Sequence, residues 1–288
     1  MKRWFGVWLV VFAVHAAIGM ATGALLLRGG PAPPPGSFGG ALLAGALVTM
    51  LATALAARLE GRGPGRALVL FALPFGVQAN NLVELMLFPL DIEIRTLPAM
   101  YLHLLLGYAV MAVLLDAIAP AGASEPHRGF ARRGVAGWLG RVAGCDLGYV
   151  VTYFTAGMIV FPFVRPFYES QTMPPVVALL QLQLLRGLVL TGLLLLLTSR
   201  LRASRRGAVL FGGLALSVFG ASPLLIPTGH FPDYARLAHL AEVGLSNFVY
   251  GCAVAFVLTA GGSTSTSTAS DAVPPVHSGE GMGSVPWR

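Results

Sequence analysis

Eight times along the chain, about twenty consecutive residues are almost entirely apolar, at roughly 5–27, 39–58, 67–88, 98–118, 145–164, 176–198, 207–227 and 238–260. About twenty such residues are what a helix needs to cross the hydrocarbon of a bilayer. In lipid the backbone must satisfy its own N–H and C=O groups, so segments of this kind are confined to helices. The pattern therefore predicts an all-α, polytopic transmembrane bundle of eight spans. Composition agrees: 11% of the residues are charged and mean hydropathy is +0.75, whereas a water-exposed surface requires about 25% charged residues. The first apolar run, after Met1-Lys2-Arg3, exceeds twenty residues. It is longer than the core of a secretory signal, about 7–15 residues, and is counted as a span.

The net charge is +7 and the isoelectric point near 10.0, which raises the question of nucleic acid. The basic residues form no patch interleaved with aromatics and sit instead in short connections between apolar runs. The N-terminus, the tail and the connections after spans 2, 4 and 6 hold fourteen of the nineteen Lys and Arg residues. The connections after spans 1, 3, 5 and 7 hold one each: Arg28, Arg95, Arg165 and Arg236. Basic connections stay in the cytoplasm, so both termini are expected there. All but one of the basic residues are Arg, and Ala, Gly and Leu abound; this usage points to a high-GC bacterial genome and hence to the cytoplasmic (inner) membrane.

Three short matches relate the two halves. Arg66-Ala-Leu-Val-Leu-Phe71 matches Arg206-Gly-Ala-Val-Leu-Phe211, Ala17-Ile-Gly-Met20 matches Thr155-Ala-Gly-Met158, and Gly107–Leu114 matches Gly251–Leu258. Their order and nearly constant offset suggest a tandem duplication of a four-span unit. An even-span unit keeps its orientation, so the axis relating the halves would run along the membrane normal. The expected organisation is a first repeat over 1–120, a cytoplasmic loop with an interfacial helix over 121–144, a second repeat over 145–260, and a disordered tail over 261–288. The interfacial helix is read from Arg132, Arg133, Trp138 and Arg141, and the tail from its Ser, Thr, Gly and Pro content. GxxxG occurs at Gly19/Gly23 and Gly140/Gly144, a spacing associated with close helix packing.

Ionisable residues inside a membrane are costly and therefore informative. Near the end of span 3, Asn80, Asn81 and Glu84 project from nearly one helix side. Span 6 carries Gln181, Gln183 and Arg186, the last too deep to reach either surface, so it requires a carboxylate or several carbonyls; Glu84 and Glu242 are the candidates. Span 8 opens with His239, Glu242 and Ser246 on one face. His103 lies in the outer third of span 4 and His15 near the middle of span 1. Their difference in depth counts against a shared haem. His103, His239, Glu84 and Glu242 share a depth and could make a two-histidine, two-carboxylate metal site. Cys145 and Cys252 supply neither a disulfide framework nor a Cys-only metal site, and Asp116 and Asp146 are placed near cytoplasmic span ends. No GxxxxGK[ST], GxSxG, DxxxD or EExxxR pattern is present.

Tyr153–Tyr168 and Ala238–Gly251 resemble stretches of uncharacterised bacterial multi-pass inner-membrane proteins. The resemblance covers mainly the second half and implies the class without an activity. Three functional readings follow. The first is a transporter or permease with a polar site in the outer half of the bundle, built from Glu84, Asn80, Asn81, Arg186, Glu242, His239 and His103. Its partners would be the lipid bilayer and a small polar or ionic substrate, with no nucleic acid. The second is a membrane-embedded enzyme holding a metal or haem through the histidines and carboxylates. The third is a non-catalytic scaffold or assembly subunit.

Overall fold

The computed structural model describes residues 2–26, 33–87, 97–120, 134–169 and 171–261. Among them are eight helices long and apolar enough to cross a membrane, one for each apolar run. They are α1 (Lys2–Leu26), α2 (Ser37–Ala56), α3 (Pro64–Leu87), α4 (Leu97–Ile118), α5 (Val135–Tyr168), α6 (Val176–Arg200), α7 (Arg205–Ala221) and α8 (Asp233–Thr259). A short 3-10 turn, Ser222–Leu225, continues α7. The chain is a multi-pass integral membrane protein. Arg28, Arg95, Arg132, Arg133 and the Ser/Thr-rich tail beyond Gly261 lie outside the described residues.

Local chemistry sets several helix ends. Pro64 opens α3, where its missing N–H would be unpaired in any case. The Ser204 hydroxyl caps α7 by accepting from the Gly207 N–H at 3.2 Å. Large apolar side chains point both ways. Phe219, Leu216, Leu194 and Leu258 are fully buried between helices, while Val113, Leu245, Met158 and Phe163 are exposed on the outside. In a membrane that outer surface faces lipid, which is why apolar residues need no single stripe on each helix.

Within the first half α1 packs on α2 and α4, and α4 on α3; α2 also touches α3 and α4. Within the second half α5 packs on α6 and α8, and α8 on α7; α6 also touches α7 and α8. Between the halves α3 meets α6 and α7, and α2 meets α7. Exchanging α1–α4 for α5–α8 leaves this neighbour set unchanged. Burial follows the same exchange: along their apolar stretches 11% of residues are buried in both α1 and α5, and 28% in both α4 and α8. The central helices are α2, α3, α6 and α7.

The α2–α3 and α6–α7 connections touch at one end of the bundle, here the basic end. Leu59 and Leu201 form an antiparallel bridge, with the Glu60 N–H donating to the Arg200 carbonyl (2.9 Å) and the Arg202 N–H to the Arg58 carbonyl (2.8 Å). Each of these two bonds becomes the other when the halves are exchanged. Arg202 also pairs with Glu60 at 2.9 Å.

Arg66, buried to 1% exposure, closes the basic end of the first half. Its guanidinium donates to the carbonyls of Ala119 (3.3 Å) and Pro120 (3.1 Å), just past α4, and lies 3.9 Å from Asp116. Carbonyls at a helix end lack intrahelical donors, and Arg66 supplies them. Arg66→Leu should therefore lower stability by about 2–3 kcal/mol, the loss of charge-assisted hydrogen bonds with their acceptors left buried. Thermal unfolding in detergent would measure it.

The interfacial helix expected over 121–144 is not a separate element where it is described. Helix α5 runs unbroken from Val135 to Tyr168, so 135–144 form the first turns of the span; 129–133 lie outside the described residues. Thirty-four residues rise about 51 Å at 1.5 Å each, well beyond the hydrocarbon thickness. Two contacts hold the extension upright. Trp138 packs against the core, and Arg141 donates to the Val257 carbonyl in the last turn of α8.

Candidate functional site

A cavity of about 320 Å³ lies in the half of the bundle away from the basic end. Its walls are the end of α3, the start of α4 at Met100, the middle and end of α5, α6 at Arg186, the end of α7 with its 3-10 turn, and the first half of α8. Thr228 and His230, in the α7–α8 connection, also line it. Leu82, Leu85, Met100, Leu224, Ile226 and Phe231 make much of the wall apolar.

Glu84, near the end of α3, forms an ion pair with Arg186 of α6. The same guanidinium donates to Gln183 Oε1 at 3.0 Å and to Asn81 Oδ1 at 3.1 Å, and stands 5.7 Å above the Tyr149 ring. Gln183, fully buried, returns a bond from Nε2 to Glu84 Oε1 at 3.3 Å, and Tyr153 approaches the same carboxylate from α5. Asn81 Nδ2 donates to the Gly220 carbonyl of α7 at 3.0 Å. The cluster thus ties α3, α5, α6 and α7 together. It provides the intramembrane Arg with the carboxylate and polar neighbours that such a residue requires.

On α8 the three-residue spacing puts His239 and Glu242 on the cavity face, where His239 Nδ1 lies 2.7 Å from Glu242 Oε2. The Tyr168 hydroxyl is 2.9 Å from His239 Nε2. With His239 neutral and its proton on Nδ1, both contacts are satisfied: the ring donates to Glu242 and accepts from Tyr168. The rings of Tyr168 and Phe231 both stand edge-on to His239 at 5.8 Å. Glu242 Oε1 has no hydrogen-bond partner among the described residues.

Five of the seven residues singled out from the sequence therefore surround one cavity: Asn81, Glu84, Arg186, His239 and Glu242. The partner of Arg186 is Glu84. Asn80 does not line the cavity; it is buried and its Nδ2 has no partner among the described residues. Asn80 and Asn81 are one residue apart, hence about 100° apart around the helix, and the cavity takes the Asn81 side. His103 belongs elsewhere, at the α1–α4 interface against Thr22. His15 lies at that interface too, stacked on Tyr108 at 5.7 Å. The four-residue metal set of His103, His239, Glu84 and Glu242 is not gathered, and no group of three or more potential metal-ligating His, Cys, Asp or Glu residues exists among the described residues.

Sequence reasoning missed four other residues. Arg236, counted among the connections, is buried in the first turn of α8 and lines the cavity. It pairs with Asp233 at 2.8 Å and donates to the Leu224 carbonyl at 2.9 Å. Its position three residues before His239 was the available signal. Tyr149 and Tyr153, one turn apart on α5, also line the cavity, and nothing in their sequence spacing singled them out. Asp146, placed near a span end, is the twelfth residue of the longer α5; it is buried against Gly187 of α6 with Oδ1 unpartnered among the described residues.

Compared with protein-family models, with curated proteins and with solved structures, the chain finds no match.

Proposed function

We propose that this protein is a transporter- or permease-like protein of the bacterial cytoplasmic membrane, with both termini cytoplasmic and its polar site open toward the outer side. The observation that carries this reading is the cavity itself. One concave space brings charged groups from α3, α6 and α8 together within the bilayer-spanning part of the bundle, where charge is retained chiefly for function. Its place, between helices of both halves and in one half of the membrane, suits a site that one half exposes by moving against the other. The exchange of neighbours between α1–α4 and α5–α8, and the reciprocal bonds between the two connections, support an origin by duplication of a four-helix unit. In this reading Arg186 and Glu84 hold the helices in register and Glu242 meets a small polar or ionic substrate.

The test is uptake in cells lacking the gene, complemented with wild type, Arg186→Lys or Glu242→Gln. At matched membrane levels each variant should lose roughly tenfold or more of the activity, the worth of one charge-assisted contact. If both variants complement as well as wild type, the transport reading fails.

A further inference from the structure

Both arginines around the cavity already hold a carboxylate, and the lining carboxylate left without one points to what the site holds. Among the described residues, four that line the cavity, apart from histidines, carry charge: Glu84, Arg186, Arg236 and Glu242. Arg186 is matched by Glu84 and Arg236 by Asp233. Glu242 has no guanidinium partner among the described residues, and His239 meets one of its oxygens. Its other oxygen, Oε1, is unpartnered among the described residues; the side chain is 13% exposed and lines the cavity. Among the described residues the site therefore presents one carboxylate without a guanidinium partner in a mostly apolar wall.

We propose that the cavity binds a small organic cation of the ammonium class, with its nitrogen at Glu242 Oε1 and its apolar part against Tyr153, Tyr168 and Phe231. A carboxylate beside aromatic rings is the chemistry that recognises such cations, because ring faces attract positive charge and organic ammonium is cheaply desolvated. A metal dication would need several oxygen ligands, and Glu84, the other carboxylate lining the cavity among the described residues, is taken by Arg186 and Gln183. An anion would face two guanidiniums already engaged by carboxylates and carbonyls. The cavity volume, about 320 Å³, lies at the lower end for small-ligand pockets and suits one compact monocation. This inference rests on the cavity being the ligand site of the preceding section, and it adds the class of ligand.

The experiment is calorimetric titration of the full-length protein in detergent with benzyltrimethylammonium chloride, beside its neutral carbon isostere neopentylbenzene. Saturable binding of the cation at one site is expected, with at least tenfold weaker binding of the isostere. Glu242→Gln should weaken cation binding at least tenfold, and Phe231→Ala should weaken it several-fold. Glu242→Asp, which keeps the charge, should retain part of the affinity and so separates loss of charge from loss of fold. Absence of saturable binding, equal affinity in Glu242→Gln, or equal binding of the isostere would each overturn the proposal. Cation binding without uptake would sink the transport reading and leave the cation site standing. Uptake lost in Glu242→Gln without cation binding would do the reverse.

Discussion

Glu84→Gln is expected to destabilise the protein by about 3 kcal/mol, and Arg186→Met by less, with the double variant recovering most of the loss. Removing one member of a buried ion pair leaves the other without compensation, at about 3–5 kcal/mol. A charge at the centre of a spanning helix costs about the same on insertion scales. The asymmetry follows from the two groups. Arginine cannot shed its proton at any accessible pH, so in Glu84→Gln the 5%-exposed guanidinium stays charged. In Arg186→Met the leftover is a carboxylate, 21% exposed, which can take up a proton and become neutral. In the double variant neither charge remains, and the amide introduced by Glu84→Gln keeps hydrogen-bonding capacity toward Gln183. Thermal unfolding of the four proteins in one detergent, read as a double-mutant cycle, measures the coupling. A loss in the double variant equal to the sum of the two single losses would show that the pair does not act as a charge-compensated unit.

The second large effect concerns the α7–α8 crossing. A methyl group at Gly251 would fall 2.9 Å from Gly213 Cα and closer still to the Gly212 carbonyl oxygen, and one at Gly212 would fall 2.7 Å from Ala255 Cβ. The obstacles at Gly251 are backbone, which cannot rotate away. Gly251→Ala should therefore cost about 1–3 kcal/mol by overpacking, and Gly251→Leu should prevent these helices from seating. Gly140→Ala is the matched control. A Cβ there meets nothing within 4 Å, and the better helix propensity of Ala should leave stability unchanged or raise it by up to about 1 kcal/mol. Melting temperatures of the three variants beside wild type would check the order.

These glycines show where sequence patterns stop being informative. GxxxG at Gly140/Gly144 marks no close contact, and Gly23 of the Gly19/Gly23 pair also faces open space. The close crossing uses Gly212, Gly213 and Gly251, with no such spacing between partners on different helices. The motif describes a ridge on one helix, whereas a crossing needs a matching groove on another. The polar residues behave alike. Asn80 and Asn81 are neighbours in sequence, and only the rotation of α3 decides that Asn81 meets Arg186. Arg236 was legible as part of the His239–Glu242 face, but counting it as a loop charge concealed its burial.

By itself the sequence determined the eight helices and their approximate limits, because lipid imposes one demand on every spanning segment: about twenty apolar residues with all backbone hydrogen bonds made internally. That demand is local and can be read along the chain. Tertiary structure alone decided the extent of α5, the pairing of Glu84 with Arg186, the removal of Asn80 and His103 from the cavity, and the pairing of Glu242 with His239 and not with an arginine among the described residues. Each depends on which helices are neighbours and how each is turned about its axis. In lipid no hydrophobic difference drives those choices; they follow from close packing and interhelical hydrogen bonds. An apolar run carries no record of either until the helices have met.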